Sequence, residues 1–235
     1  MIGACLDSVA WADEIVVLDS CSTDETVAIA TRMGAKVSTS DDWPGFGEQK
    51  NRALGLASGD WILSLDADER VSPELADEIR GVLASDDSKP GYEIPRLSSY
   101  CGRYMRHSGW WPDYVTRLVR RGKGRFNKNL VHERLEVDGE VGRLECTLMH
   151  ESFQSLEQVL EKVDRYSSLN ARQMAAAGKR GGIVAGVVHG LGAFFKTYVL
   201  KAGFLDGREG FMLAVSNAEG AYYKYVKLFL LNRQR

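Results

Sequence analysis

The chain has 235 residues, 44% of them hydrophobic, enough to bury a core and form one α/β domain with an appendage. The formal net charge of −2 is unevenly spread: from His150 onward 12 Lys/Arg face 7 Asp/Glu, and before it 18 face 25. An acidic first part opposes a phosphate backbone and argues against nucleic acid as partner, whereas a basic second part suits an anionic surface such as membrane lipid. Met1-Ile2-Gly3 has neither a basic n-region nor an apolar h-region, so no signal peptide is expected. Cys5, Cys21, Cys101 and Cys146 are scattered without a Cys-x-x-Cys, which points to a reduced, cytoplasmic chain. Cys146 and His150 have metal-like spacing, but no second pair completes a zinc site.

In chain order, Ile2, Cys5, Leu6 and Val9 recur at helical spacing, and Glu14 to Asp19 is an apolar run ending on a carboxylate, as a strand would. Ser20 to Glu25 supplies turn and cap residues for a helix from Thr26 to Met33, closed by Gly34, with a short strand at Lys36-Val37-Ser38. Alternation of helix and strand predicts a mostly parallel sheet with helices on both faces. Asp41 to Asn51 reads as a glycine-punctuated loop running into a helix from Arg52 to Ala57. Lys50, near that helix start, is placed either to meet a phosphate or to be solvated.

The most informative stretch is Gly59 to Glu69. Trp61, Ile62, Leu63 and Leu65 form an apolar strand that stops on Asp66, Asp68 and Glu69. Ligands of open α/β sheets bind at the carboxyl ends of strands. Two carboxylates one residue apart can approach a Mg²⁺ or Mn²⁺ ion together with phosphate oxygens. A solvated acidic turn before the next helix is the competing reading. Ser72-Pro73 then opens a helix to Leu83, and Gly91 to Arg96 is a strand. Between Tyr100 and Arg121 aromatic residues (Tyr104, Trp110, Trp111, Tyr114) alternate with arginines, a mixture suited to sugar rings or to a core-facing cluster.

Several of these segments together resemble glycosyltransferase family 2. They are Asp19-Ser20-Cys21-Ser22-Thr23-Asp24, Gly47-Glu48-Gln49-Lys50-Asn51, Leu65-Asp66-Ala67-Asp68-Glu69, Arg117-Leu118-Val119-Arg120-Arg121, Val131-His132-Glu133 and Gly203-Phe204-Leu205-Asp206-Gly207. The branch most similar is that of bacterial lipopolysaccharide-core sugar transferases, and the likeness covers nearly the whole chain. The resemblance implies the GT-A fold, a nucleotide-sugar donor such as a UDP-hexose, a divalent metal and inversion at the anomeric carbon. It implies that Asp19 contacts the nucleoside and that Asp66 and Asp68 hold metal and diphosphate. Lys50 and Arg117, on matched segments, are implied on the donor side.

Two departures from the family pattern stand out. The apolar strand and Asn-Glu pair with which members begin are missing before Ile2, which predicts a gap between strands that need backbone partners. Cys21 stands where the family has glycine, in a turn that requires positive φ. A truncated, non-catalytic relative acting as a binding module is therefore the alternative to an active enzyme.

Glycosyl transfer needs neutralisation of the departing diphosphate and a base for the acceptor hydroxyl. Glu133, beside His132, is the candidate base, and Asp113 the second candidate. The expected domains are a catalytic 1–149 and a helical 150–235. In the latter, Ser155 to Ala177 carries an apolar stripe, Ile183 to Phe195 has no charged residue, and Phe211 to Leu231 mixes tyrosines with lysines. Such helices suit the membrane interface. The expectation is a peripheral protein on the cytoplasmic face of the inner membrane, acting on a lipid-linked glycan.

Overall fold

The computed structural model describes residues 1–127 and 133–233. They form two compact units: residues 1–96 with 113–150, and residues 97–112 with 151–235.

The first unit opens with α1 (Ile2–Ser8), β1 (Val16–Asp19), α2 (Thr26–Arg32) and β2 (Lys36–Thr39), the order that hydrophobic periodicity predicts. β1 and β2 pair in parallel, Val16 opposite Lys36 through Asp19 opposite Thr39. α3 (Phe46–Leu56) starts six residues before the expected Arg52. Gly45, at φ 108°, makes the turn that lets the helix begin at once, so Lys50 lies inside the helix and not at its start. β3 (Trp61–Leu63) and β4 (Glu69–Val71) flank the acidic turn. α4 (Pro73–Leu83) is capped by Ser72, whose Oγ accepts from Leu75 N at 3.2 Å, with proline at the first helical position.

The larger sheet runs β3-β7-β5-β11-β4, built from β5 (Gly91–Tyr100), β7 (Asp113–Arg120) and β11 (Leu148–Phe153). β6 (Arg103–Tyr104) and β10 (Val141–Arg143) add to β5, and β8 (Gly124–Phe126) pairs with β9 (Leu135–Val137). The expected parallel character holds only locally. Among the described residues β1–β2 and β5–β10 are parallel, while β3–β7, β5–β7, β5–β6, β4–β11 and β8–β9 are antiparallel. Among the described residues no crossover helix joins consecutive strands from β5 onward, so strands next to each other in the chain, such as β5 and β6 or β8 and β9, return antiparallel.

β1 and β3 belong to separate sheets. Val16, Leu18, Trp61 and Leu63 line one cavity of about 630 Å³, which reaches Lys50 and Asp66. The core beneath is Leu75, Ile79, Ile94, Leu118 and Leu148, each 1% exposed or less.

The second unit is helical. α5 (Leu156–Ala176) is capped by Ser155, and α6 (Ile183–Phe195) runs through a π-helical turn to Leu200. A short 3₁₀ turn (Gly203–Asp206) leads into α7 (Gly207–Arg233). α6 lies close against α7 because it presents glycine there: a Cβ on Gly186 would meet Tyr222 O at 3.1 Å, and one on Gly190 would meet Ala218 O at 3.1 Å. Residues 97–112 are tied in by Tyr100, whose hydroxyl shares a 2.9 Å hydrogen bond with Ser216, and by an aromatic group of Tyr100, Trp110 and Phe153.

Candidate active site

The acidic turn follows β3 directly. Ser64 N still donates to Arg117 O at 2.8 Å, after which the chain leaves the ladder and Asp66 projects at the sheet's end. Its two oxygens are both taken: Oδ1 lies 2.8 Å from Lys50 Nζ, and Oδ2 lies 2.5 Å from Arg117 Nη2. Burial alone would raise this carboxyl, but the Arg117 and Lys50 charges outweigh it and hold Asp66 well below the usual carboxylate range. Lys50 Nζ also lies 3.0 Å from Glu133 Oε1. One lysine on α3 thus joins the candidate metal carboxylate to the candidate base, residues far apart in the chain. His132, expected beside Glu133, lies outside the described residues.

Behind Asp66 the ionic chain continues inward. Arg117, on β7 and 5% exposed, also reaches Glu69 Oε1 at 2.6 Å. Glu69 is fully buried; its Oε2 accepts from Asp66 N at 3.1 Å, and its Oε1 lies 3.3 Å from Arg96 Nη1. Arg96 in turn binds Asp113 Oδ2 through Nη2 at 2.7 Å and Nε at 3.1 Å. Burial would lower the Arg117 guanidinium, but Asp66 and Glu69 reverse that and hold it firmly protonated. Its buried Nε has no hydrogen-bond partner among the described residues. Both candidate bases therefore belong to one network. Glu133 shares a cation with Asp66, whereas among the described residues Asp113 is reached through Arg96, Glu69 and Arg117.

Asp19 ends β1 and is 5% exposed; its Oδ2 accepts from Ser22 N at 2.9 Å and so shapes the following turn. Cys21 in that turn sits at φ 60°, the left-handed conformation expected there. Gln49 Nε2 donates to Ser20 Oγ at 2.9 Å, fastening α3 to the turn. Asp68 points elsewhere: its Oδ2 lies 3.3 Å from His150 Nε2, and the two side chains are 30% and 15% exposed. Among the described residues no three or more His, Cys, Asp or Glu side chains gather for a metal. Carboxylate and imidazole donors nevertheless fit a divalent cation that takes its other ligands from a phosphate and water.

Residues 1–129 match the family model described as Glycosyl transferase family 2. The chain belongs to that family. A "Lipopolysaccharide core biosynthesis glycosyltransferase LpsC" of Rhizobium meliloti is 30% identical to this transferase over 239 residues, covering 97% of this chain and 87% of that one. An "Uncharacterized glycosyltransferase" of Rickettsia felis is 33% identical over 227 residues, covering 92% and 80%. Among solved structures, glucosyl-3-phosphoglycerate synthase from Mycobacterium tuberculosis, in complex with Mn²⁺, UDP and glucosyl-3-phosphoglycerate, is 28% identical over 42% of this chain and 39% of that one, with TM-score 0.35. The mannosyltransferase PcManGT from Pyrobaculum calidifontis, with GDP-Man and Mn²⁺, is 15% identical over 94% and 69%, with TM-score 0.48.

Sequence reasoning about the transferase missed Glu69, Arg96 and His150 as parts of the site. Glu69 had a local signal, three residues after Asp66 in a turn where Glu69 N donates back to Asp66 O at 2.9 Å. Arg96 had none, and the spacing of His150 from Cys146 pointed to a zinc site and not to Asp68, because both residues arrive through strand pairing across long separations.

Proposed function

We propose that the transferase moves a sugar from a nucleotide-sugar, a UDP-hexose, onto a lipopolysaccharide-core or other lipid-linked glycan, with inversion and with a divalent cation. The observation that carries this reading is Lys50, whose ammonium lies between Asp66 and Glu133. A donor diphosphate needs positive charge where Asp66 gathers it, and an attacking hydroxyl needs a carboxylate nearby to take its proton. Asp66 and Asp68 would hold the cation, which supplies charge neutralisation for the departing diphosphate. Asp66 already carries two cationic partners, whereas Asp68 faces the His150 imidazole. Asp19 orients the nucleoside from the end of β1. Lys50 and Arg117 contribute positive charge on the donor side, and Glu133 accepts the hydroxyl proton. Asp113, bound to Arg96 at the start of β7, is the comparison residue.

Calorimetry of UDP with Mn²⁺ tests the donor half: metal-dependent binding is expected, lost in Asp68→Ala, and binding that survives the substitution unchanged removes the assignment. For the base, Glu133→Gln keeps the shape and lowers transfer by about 10²–10⁴-fold while donor binding persists. Full transfer with Glu133→Gln but none with Asp113→Asn exchanges the two roles.

The acceptor's lipid places the reaction at a membrane, on the cytoplasmic side where nucleotide-sugars are made. The exposed ridge of α6 supports this: Val184, Val188, Leu191, Phe195 and Leu200 are 77%, 62%, 67%, 53% and 67% exposed. These residues recur at three to five positions on one helix face, the pattern of a helix lying in the interface.

A further inference from the structure

The donor chemistry leaves unused a buried carboxylate of the second unit. Asp206, 2% exposed, closes the 3₁₀ turn before α7 and gathers the loop that follows β6. Its Oδ1 accepts from Arg106 N at 3.0 Å, and its Oδ2 from His107 N at 3.0 Å and Ser108 Oγ at 2.9 Å. His107 Nδ1 lies 3.2 Å from Oδ1, and since an ionised carboxylate only accepts, that nitrogen carries a proton. The segment before the turn is tied to the same loop. Ser108 N donates to Lys201 O at 2.8 Å, and the Lys201 stem runs along Gly109, where a Cβ would meet its Cγ at 3.5 Å. Ser108 and Ala202 are held at φ 60° and 52°. Non-glycine residues stay in that region only where their surroundings over-determine them, as happens in ligand clamps.

The clamped segments carry cations without matching anions. Arg106 and Lys201 are exposed, and the His107 side chain is 39% exposed. Among the described residues neither Arg106 nor Lys201 has a salt-bridge partner, and Glu209 at the start of α7 faces Arg103 at 3.9 Å. The Arg106 guanidinium lies over the Trp111 ring, 5.8 Å from its centroid, which steadies the charge without neutralising it. Leu200, Phe204 and Leu205, beside Lys201 and Asp206 in the chain, are exposed apolar side chains. We propose that Arg106, His107 and Lys201, positioned by Asp206, seat the phosphomonoester headgroup of a membrane lipid, with Leu200, Phe204 and Leu205 entering the acyl boundary. The inference rests on the membrane contact proposed above and adds a headgroup preference to it. A phosphomonoester carries about −1.5 to −2 charge near pH 7 and three strong acceptor oxygens, which suit a guanidinium, an ammonium and an imidazolium better than a phosphodiester does. Cations interleaved with apolar side chains along one segment favour a lipid over a free anion as the source of that phosphate.

Co-sedimentation of the full chain compares vesicles containing phosphatidic acid, a phosphomonoester, with vesicles containing phosphatidylglycerol, a phosphodiester, at equal surface potential. The parent should bind the first at least about tenfold more tightly, the worth of one added charge-assisted hydrogen bond. A basic residue acting only through the surface field would, when lost, weaken binding to both vesicles alike, by about fivefold. Arg106→Gln and Lys201→Gln should instead each remove most of the preference for phosphatidic acid, and Lys179→Gln, just after α5, should keep it. Asp206→Asn should lose the preference with both cations present, and a folded Asp206→Asn that keeps it overturns the positioning role. Thermal melting checks the fold; where Asp206→Asn does not fold, the two exposed substitutions decide. Equal affinity of the parent for the two vesicles, a preference that survives Arg106→Gln or Lys201→Gln, or one lost equally in Lys179→Gln overturns the headgroup seat and leaves the membrane reading intact. Release of bound protein by inorganic phosphate, at constant ionic strength and at the concentration of the accessible lipid, identifies a free-anion site and overturns the lipid assignment. A parent that binds neither vesicle removes the membrane reading itself, and the inference with it.

Discussion

Arg117 shows how much one side chain carries. It is nearly enclosed and joins Asp66 to the fully buried Glu69. Removing one partner of a buried ion pair leaves a charge without compensation, which costs about 3–5 kcal/mol. Arg117→Met should lower stability by that amount, read as a shift in the denaturation midpoint at unchanged slope. Adding Glu69→Leu should recover much of the loss; a double variant as unstable as the sum of the two singles would show that the pair is not coupled. Asp66 gives a pH signature. Its folded carboxyl is held below the usual range, so its contribution is present above the ordinary value near about 3.9 and is lost as pH falls below about 4. Asp66→Asn should flatten the acid limb of a stability-versus-pH curve, and an unaltered limb would refute the coupling. The sequence made Asp66 and Asp68 legible because they follow an apolar strand. It left Glu69 as one more acidic residue, because complete burial is a property of the folded sheet.

At the scale of elements, caps and periodicity were readable wherever the signal was local. Ser72-Pro73 and Ser155 mark the starts of α4 and α5, and Gly45 starts α3 through positive φ. The error over α3 came from reading Gly45 and Gly47 alike as loop residues. Gly47 lies inside the helix for a different reason: a Cβ there would come within 2.2 Å of Asn127 O. It lets α3 approach the end of β8, where Asn51 Nδ2 donates to Phe126 O at 2.9 Å and Oδ1 accepts from Phe126 N at 2.8 Å. Gly47→Ala should therefore force α3 and β8 apart and destabilise by about 1–3 kcal/mol, the usual cost of overpacking. The displacement would also draw Lys50 from Glu133, so transfer should fall with it. A variant of parental stability and activity would show that the approach is not needed. Antiparallel pairing was the larger surprise, since periodicity reports that a segment is a strand but not which neighbour it finds.

For the whole molecule, the uneven charge was legible from composition, while the membership of residues 97–112 in the second unit was not. Those residues join it through Tyr100, Ser216 and the aromatic group, contacts that link positions about a hundred residues apart. Within that unit the stretch Ile183–Leu200 is long and apolar enough to cross a membrane by length and composition, and only 17% of it is buried. Its glycine face is used against α7 and its apolar ridge is left outward. A ridge of this kind, with basic residues near it, binds an interface by apolar burial assisted by anionic lipid. Fully burying one leucine contributes about 1.5–3 kcal/mol, so Leu191→Asp should weaken vesicle binding by at least about tenfold. Flotation with vesicles containing phosphatidylglycerol should recover the parent protein, with less recovery at high salt, because exposed charges are screened within about 10 Å at 0.1 M. Equal recovery of the parent protein and of Leu191→Asp would exclude α6 as the contact, and recovery indifferent to both salt and anionic lipid would exclude the electrostatic contribution while leaving apolar burial as the sole attraction.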